Sequence, residues 1–90
     1  MKRAIITVIG RDMRGIIAKV SMLLYEKDVN IMDITQTTMQ DMFTMIMLCD
    51  ITESAVPFAE LADNLDKLGR GMGLSIRIQH EDIFNSMHRI

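Results

Sequence analysis

The residues best placed to do chemistry in this 90-residue chain lie in one short loop, Gly10-Arg11-Asp12-Met13-Arg14-Gly15. Its two glycines let backbone amides come close to a bound group. The loop stands between a β-branched run and a helical pattern, so it leads into the unpaired amides of a helix N-terminus. That combination suits a carboxylate or another small anion. The plainer reading is a strand-to-helix turn whose amides are capped by Asp12 or by water. The loop matches neither GxxxxGK[ST] nor GxGxxG, so it is not one of the familiar nucleotide-binding loops.

Other reactive side chains carry less. His80 and His88 stand near Glu81 and Asp82, but their spacing matches no metal-ligand motif, and no metal site is expected. Cys49 lies inside an apolar run and reads as a small buried hydrophobe. It is the only cysteine, which allows no internal disulfide and no Cys-rich zinc site. Asp12, Asp33 and Asp41 form no recognisable carboxylate pair. No Ser/His/Asp or Cys/His arrangement has a supporting motif. The expectation is a chain with no catalytic residues and no cofactor.

The elements that must hold the loop follow from hydrophobic periodicity. Arg3 to Ile9 predicts a strand with apolar residues on both faces, hence a central one. A helix is expected from Gly15 or Ile16 to Asp28, with Ile17, Val20 and Leu24 on its apolar stripe and Ile16 and Leu23 beside them. Asn30 is read as its left-handed C-cap. Ile31 to Met39 predicts an edge strand, polar at Asp33, Gln36 and Thr38. Gln40-Asp41 turns the chain into a central third strand, Met42 to Ile51, with Phe43, Met45, Met47, Cys49 and Ile51 on one face. Pro57 suits the first turn of a second helix bearing Phe58, Leu61, Ala62, Leu65 and Leu68. Gly69-Arg70-Gly71-Met72-Gly73 stops that helix. Leu74, Ile76 and Ile78 alternate in a one-sided fourth strand. Glu81 to Ile90 reads as a short helix or tail with Ile83, Phe84, Met87 and Ile90 as its apolar side.

The order is β-α-β-β-α-β plus a tail, an α+β chain in one domain, residues 1–90. Right-handed crossovers put strands 1 and 3 in the centre of a four-stranded antiparallel sheet, with both helices on one face. The other face keeps apolar side chains, and the tail, a second subunit or both must cover it. Ten methionines read first as irregular core filler, with an adaptable partner-binding surface as the alternative.

Composition excludes several classes. Acids outnumber bases 12 to 10, and strand 1 has no aromatic residue, which argues against nucleic acid. No apolar run approaches the ~20 residues of a membrane span, and no signal peptide is evident, so a cytoplasmic protein is expected. Arg14 and Asn30 invite comparison with acylphosphatases, but the loop pattern is wrong for that reading.

The run Ile5 to Ala18 strongly resembles the opening of ACT domains, whose pattern is strand, G-x-D-x-x-G-I-[IV]-A, helix. Val29-Asn30-Ile31-Met32-Asp33-Ile34 resembles their second landmark, N-I-x-D-I. Phe43-Thr44-Met45 and the closing Ile83 to Ile90 look like the stand-alone single-ACT-domain proteins of bacteria and archaea. A relationship to the ACT repressors of the glycine cleavage system is also suggested. The resemblance implies a ferredoxin-like fold, a homodimer, and a non-catalytic regulatory role with an amino acid or similar metabolite at a subunit interface. The ligand candidates it implies are Arg11, Asp12, Met13, Arg14, Gly15 and Ile16 in the first loop, with Asn30 and Ile31 at the start of strand 2. With no catalytic or DNA-binding domain attached, any regulation would act on a separate, unidentified target protein. The alternative is a structural protein–protein interaction module with no metabolite ligand.

Overall fold

The computed structural model describes residues 1–11 and 14–87; Asp12, Met13, His88, Arg89 and Ile90 lie outside the described residues. The element order is β1 (Arg3–Gly10), α1 (Ile16–Glu26), β2 (Asn30–Met39), β3 (Met42–Asp50), α2 (Phe58–Met72), β4 (Ser75–His80) and α3 (Glu81–Met87). The strands form one four-stranded sheet in the order β2-β3-β1-β4, and every pairing is antiparallel. The predicted ferredoxin-like topology, with β1 and β3 in the centre, is therefore the observed one.

The alternation read from the sequence decides what is buried. Ala4, Ile6 and Val8 of β1, with Phe43, Met45, Met47 and Cys49 of β3, form the helix-side layer of the sheet. They pack with Ile16, Val20 and Leu24 of α1, Leu61 and Leu65 of α2, and Ile76 of β4 in one continuous core. Burial pushes the Cys49 thiol up from 9.0 to about 12. At neutral pH it is a protonated, inert hydrophobe. Its stabilising contribution is complete below about pH 9 and is lost as pH rises toward about 12. Labelling of native Cys49 by a thiol reagent should therefore proceed only as fast as the protein unfolds. Rapid stoichiometric labelling of the folded protein would contradict this placement.

Three details depart from expectation. Ile17 is 40% exposed, because the buried stripe runs at four-residue spacing through Ile16, Val20 and Leu24, and Ile17 lies one residue off it. The left-handed residue after α1 is Asp28, with φ 58°, while Asn30 already pairs with Asp50 as the first residue of β2. An aspartate tolerates that conformation better than most residues do. The second helix stops inside the predicted Gly69–Gly73 segment, at Gly73, where the Gly73 amide donates to the Arg70 carbonyl while that of Leu74 donates to the Gly69 carbonyl. These two bonds are a Schellman closure, placed one turn beyond the first glycine. Gly69 serves packing instead: a Cβ there would lie 2.9 Å from the Leu74 carbonyl oxygen and 3.0 Å from Ile76 Cγ1.

The methionine expectation also shifts. Met45 and Met47 fill the core, whereas Met1, Met22, Met32, Met39, Met42 and Met87 are exposed. On the open sheet face, α3 packs against β1 and β4, and the Gln79 side-chain amide donates to Met87 Sδ at 3.4 Å. Ile5, opposite Gln79, is only 8% exposed, but Ile9 and Ile46 further along that face remain 42% and 37% exposed. The tail is thus helical through Met87, but Ile83 and Met87 of its predicted apolar side stay exposed, and Ile90 lies outside the described residues. No helix among the described residues is long and apolar enough to cross a membrane.

Candidate functional site

The first loop leaves the sheet at the end where Gly10 pairs with Phe43. Gly10 is held close to the start of β4: a Cβ there would meet Leu74 Cδ2. Arg11 Nε then lies 3.6 Å from Asp41 Oδ2, an ion pair between two exposed side chains that ties the loop loosely to the β2–β3 turn. Such a pair is worth about 0–1 kcal/mol and is screened by salt. Arg14 and Gly15 are exposed, and Gly15 takes φ 75°, ψ 0° as the N-cap of α1. That left-handed conformation is open to glycine at little cost. Among the described residues no side chain caps the helix there. The first amides of α1 are thus free of the helix's own hydrogen bonds. Ile16 is fully buried, so its side chain belongs to the core and only its backbone can meet a ligand. Asp12 and Met13 fall outside the described residues.

Asn30 and Ile31 stand at the other end of the sheet. Asn30 pairs with Asp50, which in turn pairs with Arg3, seven residues before Gly10 on β1. At about 3.3 Å per residue, roughly 23 Å separates the two groups of candidates within one chain. Asn30 is exposed and Ile31 half-buried. A β-bulge between Ile31 and Asp33 breaks the ladder just after them. Asn30 also lines an open hollow of about 460 Å³ with Tyr25, Asp28, Val29 and Glu53.

The two ends differ in charge. Arg14 and the N-terminus of α1 bring positive charge to the first-loop end, where Arg11 is paired with Asp41, whereas Asp28, Glu53 and the α1 C-terminus bring negative charge to the Asn30 end. Asp28 and Glu53 were not among the sequence candidates. The signal that could have found them is the position of Asp28 at the end of α1, two residues before Asn30.

The ACT domain family model matches residues 2–79. The chain belongs to the ACT domain family. A UPF0237 protein of Clostridium acetobutylicum is 56% identical over 88 residues, covering 98% of this chain and 99% of that one. Among solved structures, an ACT domain protein from Streptococcus pneumoniae superposes with a TM-score of 0.81 at 36% identity, over 92% of this chain and 93% of its own. A protein assigned as a glycine cleavage system transcriptional repressor gives a TM-score of 0.73 at 26% identity, over 88% of this chain but 45% of its own. This ACT domain thus shares its fold with a regulatory protein about twice its matched length. ACT domains are regulatory modules of the small-ligand-binding type.

Proposed function

We propose that this ACT domain is a non-catalytic sensor that dimerises side by side and binds an amino acid at the interface. One observation carries the reading: the first loop and the start of β2 are charge-complementary half-sites at opposite ends of the sheet. A free amino acid is a zwitterion, and neither half-site suits both of its charges. If two β2 edges pair antiparallel about a two-fold axis, the first-loop end of one copy meets the Asn30 end of the other. The ligand's carboxylate then faces the α1 amides of one protomer, and its ammonium faces Asn30 and Asp28 of the partner, with the Asp12 carboxylate of the first-loop motif as a second candidate. The ten-residue β2 is exposed along nearly its whole length, as a strand awaiting a partner would be. Met22 and Tyr25, exposed on α1, extend the same flank with apolar surface. By this reading the protein is cytoplasmic and acts on a separate target protein.

A helix N-terminus favours an anion by about 0.3–1 kcal/mol, rising to ~2 when partly buried. A charge-assisted hydrogen bond to the ammonium adds about 1.5–3 kcal/mol. After ordering costs, an affinity in the micromolar to millimolar range is expected. A thermal-shift screen with the common amino acids should find the ligand, since saturation at 100 times Kd adds about 2.7 kcal/mol of stability. Asp12→Ala should weaken that binding about tenfold, the loss of one charge-assisted contact, with stability within about 1 kcal/mol of the parent. Calorimetry with no saturable amino-acid binding up to about 10 mM would overturn the sensor reading. The six exposed methionines favour a protein-interaction module as the second reading, because flexible thioethers suit adaptable contact surfaces.

A further inference from the structure

The face of the sheet turned away from α1 and α2 is half covered and half bare. α3 packs against β1 and β4, where Arg3 Nε donates to Glu81 Oε1 at 2.8 Å and the Gln79 amide donates to Met87 Sδ. Ile5, on the same face, is buried at that end. Two residues along β1, Thr7 is half-buried, and at and beyond its level Ile46, Ile9 and Met42 are exposed. Thr35, Ile46, Thr7 and Arg77 stand opposite one another across β2, β3, β1 and β4. That row is the boundary between the covered half and the bare half.

α3 stands above the face by about one helix diameter, ~10–12 Å. A flat partner laid on this face would rest on α3 and leave the bare half uncovered. Only a partner with a step of matching height reaches both halves, and a second copy turned end for end carries that step in its own α3. The outer side of α3 is suited to the contact. Ile83 and Met87, four residues apart and so on one side of the helix, are exposed. A helix of seven residues is marginal alone, so cover on that side stabilises it.

Charge agrees with the same arrangement. Arg77 is exposed on the β4 edge of this face, and Asp82 is exposed in the first turn of α3. Among the described residues neither is in an ion pair. Turning one copy end for end carries the start of its α3 to the Arg77 edge of the other. Each interface then gains two such pairs, one at each side of the symmetry axis.

We infer that two copies of this chain stack through the open sheet face, about a two-fold axis parallel to the Thr35–Ile46–Thr7–Arg77 row, with α3 of each copy seated on the bare half of the other. Ile83 and Met87 of one copy then cover Ile9, Ile46 and Met42 of its partner. The row crosses β2, which spans Asn30–Met39, at its middle. The axis of the side-by-side pair proposed above stands perpendicular to the sheet at that same place. The two axes therefore meet, and the two contacts together close a tetramer. The stack itself does not need the side-by-side pair; only the tetramer rests on that reading. Thr35, Thr37 and Thr44 rim the bare half, so the apolar patch is small and the stack is weak, with a Kd on the order of 0.1 mM.

The test is sedimentation of the full chain at about 1 mM, roughly ten times that Kd, where the stack is mostly formed. The parent should run as a tetramer. Ile34→Lys, on the β2 edge, should run as a dimer held by the stack, Ile46→Lys as a dimer held side by side, and the double variant as a monomer. Two exposed charges give a second reading that leaves the core untouched. In the Ile34→Lys background, Arg77→Glu or Asp82→Lys should each weaken the stack about threefold or more, and the two together should restore it. An Ile34→Lys protein that stays monomeric at about 1 mM overturns the inference and leaves the face to a different partner. It is equally overturned if Ile46→Lys stacks as well as the parent, or if the double charge reversal is no better than either single one. If the parent and Ile34→Lys both form only the stacked dimer, the inference stands and the side-by-side reading falls.

Discussion

Met47→Ala is expected to cost about 2–5 kcal/mol of folding stability, the range for removing a large side chain from a packed core. Met47 has no exposed surface, and its register partners are Ile6 on one side and Ile34 on the other. It therefore sits on the helix side of the sheet, where the two central strands meet the edge strand. A cavity there cannot collapse easily, because β1 and β3 are fixed by ladders along their full length. For 90 residues the total stability is about 5–13 kcal/mol, so this one change removes a large fraction of it. A fall in Tm of at least about 8 °C follows for a domain of this size. Met39→Ala is the matched control. It deletes the same side chain at an exposed hairpin position and should stay within about 0.5 kcal/mol of the parent. A Met47→Ala protein melting within about 2 °C of the parent would show that the core is not packed as described.

That contrast between two methionines marks how far the sequence could be read. Alternation in β1 and β3 sorted their residues onto two faces correctly, because a residue's face in a strand is fixed by a period of two, but it left open which face of β1 the helices cover. Met47 and Met39, however, are the same residue type, and composition could not say which belonged inside. The answer depends on Met39 lying at the hairpin end of an edge strand, which is a property of the sheet and not of the local pattern. The role of one glycine near the end of α2 was hidden for a related reason. Gly69 looks like a stop signal, but it is a site of close helix-to-sheet approach, and only the position of Leu74 and Ile76 reveals that. The candidate residues were legible as two motifs, one around Gly15 and one around Asn30. Their separation by a full strand length was implicit in the topology, since α1 returns the chain to the opposite end of the sheet before β2 begins.

Ile34→Lys should raise the dimer dissociation constant by at least about a hundredfold, equivalent to about 2.7 kcal/mol. The argument rests on symmetry. Ile34 lies near the middle of β2, which spans Asn30–Met39, and is 36% exposed. When two such strands pair antiparallel about a two-fold axis, residues near the strand centre meet their own copies. Two isoleucines there bury apolar surface, whereas two lysines bring like charges together at the axis, and a charged residue on an edge strand is itself a barrier to pairing. The monomer should remain folded, because the substitution falls on a partly exposed edge position outside the fully buried core. Ile46→Lys discriminates the two ways of assembling. Ile46 is comparably exposed but lies on the open sheet face in the centre of β3. Sedimentation velocity at micromolar concentration should show a dimer for the parent and for Ile46→Lys, and a monomer for Ile34→Lys. The reverse pattern would move the interface to the open face, where Ile9 and Met42 are also exposed, and would separate the two half-sites that the side-by-side arrangement joins. A parent protein that sediments only as monomer would remove both arrangements, and with them an amino-acid site shared between protomers.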